Sequence, residues 1–256
     1  VFFCHNGVFP IGRRVLHDVH PYGNLTLEEI IVYSSNIGMA QLAMLEGPSK
    51  LYSDLRLFGL GTPTGIEIPG ETSGVLYPLS KWTSLSLASI AMGHEVTVTP
   101  LQLTTAFCAL ANGGNLIRPR IVLALGDSKG VETKRFEPRY VHRVLNEDMA
   151  HQITRILTRV VEEGTGKKAG LKEYTVAGKT GTAEKPRSDG SGYGGAGYVS
   201  SFIGYAPSEK PRLCVLVMID EPRGAHYGGT VSAPVVREII RRSLNYLETG
   251  VYCAMG

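Results

Sequence analysis

Two apolar runs near the end of the chain, YVSSFIGYAP and RLCVLVMIDEP, are joined only by Ser208 to Pro211. A parallel pair of strands needs a crossover of about a dozen residues or more, so these runs can pair only as an antiparallel hairpin. Upstream, YTVAGKTGTAEKP (Tyr174 to Pro186) reads as a further strand. Downstream, SAPVVREIIRRSLNYL repeats Val235, Val236, Ile239, Ile240 and Leu244 in helical register. Residues 146–256 therefore read as helix, lysine-bearing strand, hairpin and final helix, and residues 1–145 as mostly helix and loop. The expected class is α/β, one domain over 1–256 with an antiparallel sheet and helices packed on it.

The helices announce their own ends. Thr26-x-x-Glu29 is a capping box opening an apolar run, which Ser34-Ser35-Asn36 interrupts before Ile37 to Leu45 resume it. SKLYSDLRLFGLG reads as a short amphipathic helix stopped by glycine. Thr99 caps a helix with Pro100 at its first position and Gly113 as its stop. Asn146 caps a run with acids in its first turn and Ile153, Ile156, Leu157 and Val160 on one face. GTPTGIEIPGETSG is turn-rich, with Pro63 and Pro69 forbidding a long element. PRSDGSGYGGAGY is too glycine-rich to pack and reads as a mobile loop.

Composition excludes several functions. A net charge of +3, with no basic run, gives no electrostatic footprint for nucleic acid. No apolar run reaches the roughly 18 residues of a membrane span, and no signal-peptide pattern is present. Cys4, Cys108, Cys214 and Cys253 show no C-x-x-C spacing, which argues against a zinc ribbon or a redox pair. His17, Asp18 and His20, with Cys4 and His5 nearby, match no zinc-ligand spacing, so neither a metal nor another cofactor is expected. Glu28 and Glu29 read as helix-start charges rather than a paired acid and base.

The lysine strand carries the functional signal. Lys179 follows Gly178 and precedes Thr180, Gly181 and Thr182. Strand glycines mark places where another backbone or a ligand comes close, and a cation with two hydroxyls beside such a gap suits a carboxylate. Ser34-Ser35-Asn36 in a helix break, followed by Lys179-Thr180-Gly181-Thr182 on a strand, resembles the S-x-N and K-T-G signatures of penicillin-binding proteins and β-lactamases. The likeness extends over GRRVLHDVHPYGNLTLEEIIVYSSNIGMAQLA, FGLGTPTGIEIPGETSG, ASIAMGHEVTVTPLQLTTAFCALANGG, AGKTGTAEKP, YVSSFIGYAPSEKPRLCVLVMIDEP and YGGTVSAPVVREI. Nearly the whole chain thus resembles the transpeptidase domain of a class B penicillin-binding protein of the division type.

That resemblance implies the penicillin-binding transpeptidase (serine β-lactamase-like) fold, an antiparallel sheet with helices on both faces, here N-terminally incomplete. It implies cross-linking of peptidoglycan stem peptides at D-Ala-D-Ala through a serine acyl-enzyme, in septal wall synthesis. By resemblance, Ser34 relays a proton to the leaving group and Asn36 holds a substrate amide. Lys179 and Thr182 grip the terminal carboxylate, and the Thr182 N–H is one oxyanion donor. Thr180, Gly181 and Thr182 line the substrate strand, and Gly178 and Gly181 are expected to let the peptide lie against it. The implied partners are the stem peptide, β-lactam antibiotics and, for the full-length protein, a membrane glycosyltransferase and other division proteins. The implied location is the outer side of the bacterial cell membrane, with the anchor outside this chain.

One part of the family pattern is missing. The family's nucleophile and base lie on an S-x-x-K motif ahead of the S-x-N, and none of the ten lysines here has a serine three residues before it. Thr165-x-x-Lys168 and Thr182-x-x-Lys185 are the threonine counterparts, and the second overlaps the K-T-G-T itself. The chain is therefore expected to be a piece of a longer protein, inactive by itself. Two other readings stay open: a non-catalytic stem-peptide binding module, or a serine β-lactamase or D,D-carboxypeptidase, for which no water-activating residue is evident. His94, Tyr198, Tyr205 and Tyr227 read as groove or core side chains.

Overall fold

The computed structural model describes residues 1–12, 14–187 and 193–250. Among these are eight α-helices: α1 (Leu27–Tyr33), α2 (Asn36–Glu46), α3 (Pro48–Leu57), α4 (Ser86–Ala91), α5 (Pro100–Ala111), α6 (Glu147–Glu162), α7 (Gly228–Val231) and α8 (Ala233–Thr249). Three antiparallel strands form the main sheet, in the spatial order Ala177–Pro186 (the lysine strand), Tyr193–Ala206 (the central strand) and Leu213–Asp220 (the outer strand). The hairpin sets Ala206 against Leu213 and Val199 against Asp220, as its short connection demands. The lysine strand pairs Ala177 with Tyr205, Lys179 with Ile203 and Thr182 with Ser200. Among the described residues its other edge is unpaired.

Period-two alternation gives the sheet two apolar faces. Phe202, Ala206, Leu213, Val215 and Val217 share one cluster with Ala233, Val236, Ile240 and Leu244 of α8. Tyr205 and Cys214 belong to another, with Phe107 and Leu110 of α5 and Ile153 and Leu157 of α6. Helices thus cover both faces. The helix ends follow their residues: Thr26 with Glu29 and Thr99 with Gln102 close capping boxes, and Asn146 Oδ1 accepts from the Met149 N–H at 2.8 Å. Each cap of this kind is worth about 1 kcal/mol.

Three readings of the sequence change. The buried stripe of α8 is narrower than its apolar pattern: Val236, Ile240 and Leu244 are buried, but Val235 and Ile239 are 42% and 38% exposed. The described residues of 1–145 hold, besides helices, five two-stranded ribbons, such as Val8–Ile11 with Arg14–His17 and Asn115–Arg118 with Arg139–Arg143. Strands this short carry too few residues to show alternation. The glycine-rich stretch is not all loop either. The central strand begins at Tyr193, opposite Pro186, with a bulge past Glu184 and Gly197 at φ +94°. A backbone ladder does not depend on side chains, and glycine accommodates the bulge without strain. Residues 188–192 of that stretch lie outside the described residues.

Candidate active site

The serine turn is built by two caps meeting head to tail. Helix α1 ends at Ser34, whose left-handed backbone (φ 58°, ψ 45°) stops the helix, and Ser35 caps α2 by accepting the Gly38 N–H at 3.0 Å. A non-glycine residue in this conformation needs the surroundings to hold it. Asp18 does so. Its Oδ2 accepts from Ser35 Oγ at 2.7 Å, and its Oδ1 accepts from the N–H groups of Asn36 and Ile37 at 2.6 and 3.1 Å. A carboxylate here also faces the positive end of α2. The Asn36 amide donates to His17 O at 3.1 Å, so one of its two N–H groups is already engaged. Below the turn, Cys4, Leu25, Ile30 and Ile37 form a separate apolar cluster.

The lysine strand meets this turn through Lys179. Lys179 Nζ donates to Ser34 Oγ at 2.7 Å and to its neighbour's carbonyl, Thr180 O, at 3.3 Å. Burial without a facing carboxylate pulls the Lys179 ammonium down to about 8. The hydroxyl of Thr180 meets that of Thr165 at 2.8 Å, and Thr182 Oγ1 accepts from the Gly228 N–H at 3.1 Å. Of the residues singled out from sequence, Ser34 and Lys179 are thus in direct contact. Asn36 follows on the same turn, and Thr180, Gly181 and Thr182 follow Lys179 along the same strand.

The strand glycines also answer to the sheet itself. A Cβ on Gly178 would run into the Phe202 ring, and one on Gly181 would strike Ser201 Oγ. Both glycines make room for the central strand. Gly228 is the same kind of residue: a Cβ there would collide with the carbonyls of Ser201 and Gly181. Sequence reasoning passed over Asp18, Thr165 and Gly228 as site residues. The histidine–aspartate run around Asp18 fits no metal spacing and offers no other local signal, and only the fold brings that carboxylate to α2. Elsewhere, His94 is half-buried and held below the usual histidine range by burial, against the opposing pull of Glu184 and Glu95. Tyr205 is fully buried, its hydroxyl 2.8 Å from Thr154 Oγ1 and pushed up to about 12 by burial. Tyr198 stacks on His226, which leans on Tyr227.

An antiparallel sheet covered by helices, with a buried lysine on its edge strand facing a serine in a helix break, defines the penicillin-recognising class of domains. The profile of the penicillin binding protein transpeptidase domain matches residues 14–241, and the chain belongs to that family. It is 40% identical over 225 residues to the stage V sporulation protein D of Bacillus subtilis, covering 87% of this chain and 34% of that protein. It is 33% identical over 238 residues to the peptidoglycan D,D-transpeptidase FtsI of Escherichia coli, covering 91% of this chain and 38% of that one. Among solved structures, the transpeptidase domain of Burkholderia pseudomallei penicillin-binding protein 3 superposes with a TM-score of 0.85 at 32% identity, over 96% of this chain and 72% of that one. Penicillin-binding protein 3 of Mycobacterium tuberculosis, solved with ampicillin, gives 0.86 at 31% identity, over 98% of this chain and 57% of that one. The fold is therefore the penicillin-binding transpeptidase fold.

Proposed function

We propose that this chain is the substrate-gripping part of a peptidoglycan D,D-transpeptidase of the division type. The observation that carries the reading is the 2.7 Å contact between Lys179 Nζ and Ser34 Oγ, which joins the two motifs into one site. The unpaired edge of the lysine strand accepts a stem peptide as an added strand. Lys179 and Thr182 then hold the terminal carboxylate, whose charge raises Lys179 back toward its ordinary range and keeps it cationic. Asn36 takes a substrate amide with its remaining donor and its carbonyl.

In the acylation step a serine oxygen bonds to the penultimate D-Ala carbonyl carbon, and the C–N bond to the terminal D-Ala breaks. Ser34 relays a proton to the departing amine, and the Thr182 N–H faces the developing oxyanion. An acceptor amine then displaces the serine and completes the cross-link. With no serine three residues before any lysine, the nucleophile and its base lie outside these 256 residues. The whole protein would sit on the outer face of the cell membrane beside a glycosyltransferase and other division proteins, and would be blocked by β-lactams. Among the described residues no helix is long and apolar enough to cross the membrane.

Fluorescent penicillin tests the proposal. The 256-residue chain should give no label that survives denaturation, and the full-length gene product should give one. In that product Lys179→Ala should lower the acylation rate ten- to a hundredfold, as expected for loss of a charge-assisted hydrogen bond worth about 1.5–3 kcal/mol. A labelled serine within the 256 residues, or wild-type acylation by Lys179→Ala, would remove the roles assigned here. A full-length product that never labels leaves the binding-module reading.

A further inference from the structure

We propose that Cys108 and Cys214 form a disulfide that ties α5 to the outer strand, on the sheet face opposite α8. Sequence spacing gave no hint of a pair, since the two lie far apart in the chain. The fold brings them together. Cys214 packs among Phe107, Leu110 and Ala111 of α5, and Cys108 lies one helical turn before Ala111. The two thiols act on one another, each shifting the other's acidity. Both are free and half-buried, on two regular elements already packed together. The bond requires the two sulfurs to close to about 2.05 Å with the Cα atoms within about 7 Å. No third thiol competes among the described residues: Cys4 is buried in a different cluster, beside Ser35 Oγ at 3.4 Å.

The chemistry needs a disulfide oxidant, either a low-molecular-weight disulfide or the disulfide of a thiol oxidoreductase. The interaction with Cys214 favours the thiolate at Cys108, whose acidity is raised, while Cys214 is held protonated. The Cys108 thiolate attacks one sulfur of the oxidant, expelling the first thiolate and leaving a mixed disulfide on Cys108. Cys214 loses its proton and attacks the Cys108 sulfur, expelling the second. Two protein thiols become one disulfide, the oxidant becomes two thiols, and both protons end on them. The biological setting rests on the outer-face location proposed above, where such bonds persist. The chemistry itself does not depend on it.

The bond closes a loop that contains α6 and the lysine strand, so it constrains the unfolded chain most where the site is built. The test incubates the dilute 256-residue chain with oxidised glutathione, alkylates the remaining thiols after denaturation and maps the peptides by mass spectrometry. The expected result is one cross-linked pair, Cys108 with Cys214, with Cys4 alkylated. The oxidised chain should melt about 5–10 °C above the reduced one, and the shift should vanish in Cys108→Ala and Cys214→Ala. Alkylation of both cysteines, a glutathione adduct that persists on Cys108, or pairing with Cys4 or Cys253 would overturn the proposal. The map of the unsubstituted chain decides the matter even if a variant fails to fold. Absence of penicillin labelling leaves it untouched, so the two proposals fail separately.

Discussion

The two sides of the candidate site are held by opposite means. The lysine strand is fixed by a continuous backbone ladder to the central strand, and its glycines let neighbouring side chains and backbone close in. The serine turn has no ladder. A strained left-handed serine is kept in place by one carboxylate, Asp18, reaching across from a different segment. The strand should therefore fail by steric intrusion and the turn by loss of a charge. Substitutions on each side can separate these modes.

The largest effect is expected on the strand side. Gly228→Ala drives a methyl group into the carbonyls of Ser201 and Gly181, backbone atoms that cannot rotate away. It also displaces the N–H that holds Thr182. We expect a loss of about 4 kcal/mol and a fall in Tm of about 10 °C by calorimetry. A variant that melts like the parent would mean that α7 is not seated against the strand.

Next comes the turn. Asp18→Ala leaves the Asn36 and Ile37 N–H groups and the Ser35 hydroxyl without their acceptor, at a cost of about 3 kcal/mol. Asp18→Asn keeps an acceptor oxygen for the two N–H groups but removes the charge at the end of α2, and should cost about 1–1.5 kcal/mol. Denaturant titration of the two variants checks the order. Equal losses would mean that the carboxylate's charge supplies all of the stabilisation.

The contrast also explains what could be read from the sequence. Ladders and caps depend on near neighbours, so the hairpin, the Lys179 strand, the Thr26 capping box, the Thr99 cap and the break at Ser34 were legible as patterns. The resemblance then supplied the fold and the site roles together. What stayed hidden depends on distant partners. Nothing local distinguishes Asp18 as a cap for α2 from a surface acid beside two histidines. Nothing local says that Gly178 answers to Phe202, or that Cys108 meets Cys214. The five short ribbons of the first half escaped for a related reason: their pairings are fixed by the surrounding fold, not by their own few residues.

Lys179 joins the two sides and gives the third prediction. Its folded value of about 8 lies below the ordinary lysine range near 10.4, so burial disfavours its charged form. Below about pH 8 the lysine is charged in both states and the full penalty applies. Between about 8 and 10.4 the unfolded chain binds the proton and the folded one does not, so stability rises with pH. Above that range both forms are neutral and the penalty is gone. Relative to Lys179→Met, the parent should gain about 3 kcal/mol across this window in denaturant melts. Parallel pH profiles would show that the lysine is not buried as charged ammonium.

The smallest effect tests whether the two sides are joined anywhere besides Lys179. Thr165 touches both: its N–H reaches Val32 O of α1 at 3.4 Å, and its hydroxyl meets that of Thr180 at 2.8 Å. Thr165→Val removes the hydroxyl and preserves the backbone bond. Thr165 is exposed, so water can take the place of the lost partner, and the cost should be about 0.5–1 kcal/mol. A double-mutant cycle with Thr180→Val isolates the contact, and we expect a coupling below about 1 kcal/mol. The cycle of Lys179→Met with Ser34→Ala should give a larger coupling, because a charged donor there meets its acceptor in a more buried contact. If the threonine pair couples more strongly than Lys179 with Ser34, the turn and the strand are joined through their exposed rim. Substitution at Lys179 would then disturb the substrate grip without loosening the frame that carries it.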